Sequence, residues 1–142
     1  MKQQTFFNFL TAVVISCVYA CSSAPVQQKI IGTWRVDSIY DYYNGFDFMN
    51  KHPYPAEVFH YRTDSIVSHE GMGEQLLFYY HCNDSTLFFN DMNGNPVSEY
   101  IILHIDKNHM VLRKNKSPLF PGKNQEKYEV RYFSKTGGTG VR

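Results

Sequence analysis

Six histidines, three cysteines and a scatter of carboxylates are the side chains through which this 142-residue chain could do chemistry. His52, His60, His69, His81, His104 and His109 would suit a metal ion or haem if two or more stood at the short fixed spacing of a helix turn or a zinc knuckle. None does. His104 and His109 flank one tight turn and are placed to meet across it, but exposed positions on strand faces account for the set, and no metal is expected. Asp64, Asp84, Asp91 and Asp106 lie among turn residues, where a carboxylate closes a turn by accepting backbone N–H groups. The chain has neither a glycine-rich phosphate cradle nor a nucleophile elbow. No catalytic residue and no cofactor is therefore expected, and binding is favoured over catalysis. Glu99 is the one carboxylate set in an apolar strand, beside Val97, Ile101 and Leu103, where it would anchor a polar group of a ligand or pair structurally.

The cysteines speak of an address rather than a reaction. "MKQQTFFNFLTAVVISCVYAC" opens with a lysine and continues in an apolar run from Phe6 to Ile15, broken by Asn8 and Thr11, too short for a comfortable membrane span. It ends in small residues and Cys21, the pattern of a bacterial lipoprotein signal, residues 1–20, whose cysteine becomes the acylated N-terminus. Cys17 after "VIS" fits the cleavage rule too, but acylation there would leave Val18 and Tyr19 in the tether, so Cys21 is favoured. An ordinary secretory signal cut after Ala20 is the competing reading, and either way the domain is exported. Residues 21–28, containing "SSAPVQQK", read as a polar tether. With Cys17 removed and Cys21 acylated, Cys82 is left without a partner and no intramolecular disulfide is expected.

A chain with 43% hydrophobic and 19% charged residues is globular in composition. Its 11 tyrosines and 11 phenylalanines favour strands, where flat rings pack on a pleated surface. A net charge of +1 offers no basic face to phosphates, which excludes nucleic acid as a natural partner.

Short alternating runs separated by Asn, Asp and Gly follow the leader. They cover residues 30–40, 57–62, 65–70, 75–82, 86–90, 97–106, 110–114 and 126–134, and no long run has helical periodicity. Such hairpin spacing predicts an all-β sandwich or barrel, and consecutive short links favour an eight-stranded antiparallel up-and-down barrel. Alternation puts Trp34, Val36, Ser38 and Tyr40 on one face, and Leu76, Phe78, Tyr80 and Cys82 on another common face. "LLFYY", "YIILHI" and "YEVRYF" are apolar on both faces, which leaves rings for the outside of the barrel or for a protein partner. Residues 135–142, "KTGGTGVR", read as a flexible tail.

"GTW" at the head of the first strand, "IDKNHMVLRK" late in the meander and the lipoprotein leader together resemble the lipocalin-like (calycin) lipoproteins of Gram-negative envelopes, over residues 29–134. The resemblance implies a barrel whose tryptophan, Trp34, seals one end beneath a basic side chain from a late strand, Arg131 or Arg113, with Arg131 preferred. It also implies that the first interstrand loop crosses the open mouth as a lid.

That loop is "DYYNGFDFMNKHPYPAE". It is long for a hairpin connection, and Tyr42, Tyr43, Phe46, Phe48 and Tyr54 are aromatic groups that seek a dry contact. The expectation is a pocket for a small apolar or ring-bearing ligand at the barrel mouth, on a protein lipid-anchored in the outer membrane with its periplasmic face favoured. A barrel filled by its own side chains is the alternative. A structural or interaction subunit of an envelope complex, without enzymatic activity, is the second reading of function.

Overall fold

The computed structural model describes residues 25–119, 122 and 124–137. The expected leader, Cys17, the expected acylation site Cys21 and the end of the C-terminal tail lie outside the described residues. A five-residue helix, α1 (Val26–Ile30), precedes nine strands: β1 (Gly32–Tyr43), β2 (Phe46–Lys51), β3 (Val58–Tyr61), β4 (Ile66–Gly71), β5 (Glu74–Asn83), β6 (Thr86–Asn90), β7 (Pro96–Ile105), β8 (His109–Asn115) and β9 (Lys127–Thr136). All neighbours pair antiparallel in the order β2-β1-β3-β4-β5-β6-β7-β8-β9, and β1 also pairs with β9. That last pairing closes an eight-stranded lipocalin-like barrel from β1 and β3–β9 and leaves it no long free edge.

The ninth strand comes from the segment read as a lid loop. Gly32–Arg35 of β1 pair with β3, whereas Ser38–Tyr43 run past β3 and pair with β2. Asn44 and Gly45 take positive φ of 48° and 91°, the two-residue turn that suits the right-handed twist of a hairpin. Tyr42 and Tyr43 therefore belong to β1, Phe46 and Phe48 belong to β2, and only Tyr54 lies in the connection to β3.

Three register shifts interrupt the ladders, and those between β1 and β9 and between β7 and β8 redirect the inward side chains. The β1–β9 register shifts between Val36 and Ser38, so Asp37 is unpaired and the inward set changes from Trp34 and Val36 to Ile39, Asp41 and Tyr43. Ser38 and Tyr40 thus face outward, correcting the uniform alternation expected of β1. A second shift, between Ile102 and His104, turns His104 out and Ile105 in. Leu76, Phe78, Tyr80 and Cys82 of β5 do share the inner face, and a core of Trp34, Val36, Phe59, Tyr61, Val67, Tyr80, Leu87, Phe89, Met110, Leu112 and Phe133 fills the barrel.

At the closed end the tether becomes structure. Ile30 of α1 is fully buried, its carbonyl accepts the Trp34 indole N–H at 2.7 Å, and the Gln27 side-chain carbonyl accepts the Cys82 backbone N–H at 3.1 Å. The cation over the indole is Lys135, with Nζ 4.9 Å from the ring, rather than Arg131. Register decides this: Lys135 sits directly opposite Trp34, whereas Arg131 is opposite Ile39, and Arg113 faces outward with its guanidinium 4.0 Å from the Tyr128 ring. The glycine of "GTW" has two reasons to be there. Gly32 has φ of +126°, and a Cβ on it would come within 2.6 Å of Lys135 Cε. β9 thus continues through Lys135 and Thr136, two positions assigned to the tail from sequence.

Candidate functional site

The open end is built on a different plan. Inward positions near the ends of the strands carry charge: Asp41 on β1, Lys116 just after β8, Glu129 and Arg131 on β9, Glu57 just before β3, and His69 on β4. They form one continuous chain of ion pairs and hydrogen bonds. Lys116 Nζ lies 3.0 Å from Asp41 and also pairs with Glu129. Arg131 donates through Nε to Glu129 and through Nη1 to Glu57 Oε2 at 2.7 Å. His69 Nε2 completes the chain at 3.1 Å from the same Glu57 oxygen, its ring stacked on Phe59 at 4.2 Å.

Alternating signs allow these groups to sit half out of water. The hydrogen bond from His69 outweighs the burial that opposes ionisation, and with Arg131 it holds the Glu57 carboxyl at about 2. For Glu129 burial is the largest influence and favours the neutral form, yet Lys116 and Arg131 together win and its pKa is lowered. Arg131 is likewise desolvated, and Glu129 in particular drives its pKa upward. Beneath this layer Tyr61 is buried, its hydroxyl without a hydrogen-bond partner among the described residues, and burial raises its pKa well above the usual tyrosine value.

Above Glu57 and His69 opens a pocket of about 380 Å³. Ile39, Leu76, Met72, Pro53, Tyr54 and Pro55 give it apolar walls, and Asn50, Glu57, His69 and Glu74 supply its polar groups. The pocket is a concave, mainly apolar space with a few convergent polar atoms, the usual form of a small-molecule site. The β1–β2 hairpin prolongs one wall beyond the mouth. Strand alternation places Phe46 and Phe48 on the same face as Ile39 and Asp41, and they are 79% and 66% exposed.

The residues expected to bind ligand divide between two hollows. Tyr54 lines the mouth pocket. Tyr42, Tyr43, Phe46 and Phe48 line a second one of about 230 Å³ on the β1–β2 hairpin, where Tyr43 donates its hydroxyl to Gln125 at 3.0 Å. Tyr42 faces outward and stacks on Tyr128, ring centroids 4.8 Å apart. Glu99 is exposed on the outer face of β7 opposite Phe88, because the inward positions there are Ser98 and Tyr100. The inward carboxylates are instead Glu57 and Glu129, and the pattern that reveals them is residue parity with Phe59, Tyr61 and Phe133 on the same strands.

Among the histidines, His69 alone lines the mouth pocket. His104 and His109 do meet, through Asp106, at 2.9 and 3.7 Å from its carboxylate oxygens. No group of three or more His, Cys, Asp or Glu among the described residues is arranged to hold a metal ion. Cys82 is a free thiol on the inner face, pushed up to about 11 by burial, which makes it a poor nucleophile.

No protein-family model and no curated protein matches the chain. Among solved structures it is similar to a single-site mutant of LTBP1 in complex with leukotriene C4, with a TM-score of 0.51 and 11% identity over 85% of this chain and 76% of that one. A second structure of LTBP1 with leukotriene C4 gives a TM-score of 0.49 at 11% identity over the same shares. The first likeness is one of fold, and it defines the class: a lipocalin-like barrel, closed by β1 against β9.

Proposed function

We propose that this chain is a lipid-anchored binding protein of the bacterial cell envelope that holds a small apolar or ring-bearing ligand at the mouth of its barrel. The observation that carries the reading is the 380 Å³ apolar-walled pocket above Glu57 and His69, at the end of the barrel left open by α1. The solved neighbour of the same fold was crystallised with leukotriene C4, which supports ligand binding without naming the ligand here.

The leader ending in Cys21 supports anchoring in the outer membrane, on the periplasmic face. α1 enters at the closed end, so an acyl group on Cys21, a few residues earlier, attaches the barrel by its sealed end and turns the mouth away from the bilayer. The protein acts by binding, without catalysis. A thermal-shift panel of fatty acids, haem, glycans and ring-bearing small molecules tests the proposal: a melting temperature raised by some members and not by others supports it, and no response to any contradicts it.

A second reading, an interaction subunit of an envelope complex, draws on the outer face. Leu77 and Tyr79 on β5 and Val97 and Leu103 on β7 are between 42% and 54% exposed. Co-purification of a stoichiometric partner lost on a Leu77→Ser, Val97→Ser double substitution would favour it over the pocket.

A further inference from the structure

The polar groups of the mouth pocket are not neutral as to what they accept. We infer that the pocket recognises a protonated amine carried on an apolar or aromatic body, with the free carboxylate oxygen of Glu57 receiving the ammonium group. The inference rests on the reading of this pocket as the ligand site.

Three observations carry it. Glu57 Oε2 takes both the Arg131 and the His69 hydrogen bonds, and among the described residues no hydrogen bond goes to Oε1. That oxygen belongs to a carboxylate in the pocket lining, half-withdrawn from water, where a charge-assisted bond is stronger than on an open surface. Second, Glu74 is a further acidic group at the lip, and among the described residues no lysine or arginine lines the space. Arg131, bonded to Glu57, does not line the pocket and is engaged with Glu57 and Glu129. An anionic head group entering here meets carboxylates and, among the described residues of the lining, no lysine or arginine. Third, Tyr54, 97% exposed, offers a ring at the same lip, and Ile39, Leu76 and Met72 offer dry contact to the rest of the molecule. The chain as a whole carries a formal charge of +1, so a preference for cations has to come from this local arrangement and not from a general field.

Glu57 is held ionised by His69 and Arg131, which keeps the acceptor available across the neutral range.

Calorimetric titration of the full chain with phenethylamine, 2-phenylethanol and 3-phenylpropionate separates head group from body, at about pH 8, where an ordinary imidazole is uncharged. The expected order is amine, alcohol, acid, with the amine bound at least about tenfold tighter than the alcohol. In Glu57→Gln the amine loses its advantage and binds no tighter than the alcohol, and measurable binding of either probe reports an intact pocket. Equal binding of all three, tighter binding of the acid, or an amine preference that survives Glu57→Gln overturns the inference and leaves the pocket standing. No binding of any probe overturns the pocket reading along with it. The wild-type ranking decides the matter without the variant if Glu57→Gln does not fold.

Discussion

The two ends of this barrel are made from the same strands and solve opposite problems. At the closed end polar groups are tied to fixed partners: the Trp34 indole N–H on Ile30, the Cys82 amide on Gln27, and Lys135 over the indole. At the open end the inward positions are charged, arranged in a chain from Asp41 to His69, and the rim exposes Phe46, Phe48, Tyr54 and Met72. A sealed apolar end holds the sheet closed, whereas the other end carries a charge network that must stay paired and exposed rings that contribute little to folding. Apolar packing and ligand recognition therefore separate along the barrel axis.

Substitutions at the two ends should consequently differ in kind. Trp34→Ala removes the largest buried side chain and its hydrogen bond, and denaturant titration should show a loss of about 4 to 5 kcal/mol, with ligand affinity of the remaining folded protein unchanged. Arg131→Met takes one partner from each of Glu57 and Glu129, leaving them His69 and Lys116, and the expected loss is about 3 kcal/mol. Unlike the first substitution, it should also change binding at the mouth.

Acid sharpens the contrast. The Glu57 pKa is depressed from 4.5 to about 2. Its contribution is fully present above pH 4.5 and is lost as pH falls toward about 2, on the order of 3 kcal/mol in total. Melting curves over that range should steepen for the wild type and flatten for Glu57→Gln, whereas Trp34→Ala should keep the wild-type slope. The smallest effect on folding belongs to the rim: Phe46→Ser with Phe48→Ser should leave stability within about 0.5 kcal/mol, because both rings are exposed, and should weaken ligand binding several-fold. A destabilisation comparable to that of Trp34→Ala would break the division between the ends.

The strands and their closure were legible because hairpin turns and alternating apolar residues are local signals, and β5 obeys strict alternation from Leu76 to Cys82. The faces of β1 and β7 were not, because unpaired residues at Asp37 and near Leu103 reverse the inward set, and a register shift is fixed by the partner strand. Asn44-Gly45 carried a two-residue hairpin signal that the length of the surrounding segment obscured. The aromatic segment lies at the open end, where Tyr54 lines the pocket and Phe46 and Phe48 stand on the β1–β2 hairpin. Glu57, His69, Glu129 and Arg131 were readable only by parity with neighbouring core residues, and a charged residue in an alternating strand is ordinarily assigned to solvent. Lys135 was hidden for a related reason, because "KTGGTG" has the composition of a tail and only pairing with Trp34 draws its first residues into β9.

The measurement that tests the account most directly is backbone amide shift mapping of the full chain during titration with phenethylamine. Perturbations should gather at Ile39, Glu57, His69 and Leu76 and leave Ile30 and Trp34 unmoved. Perturbations confined to the outer face around Leu77 and Val97, or to the closed end, would contradict a ligand site at the barrel mouth.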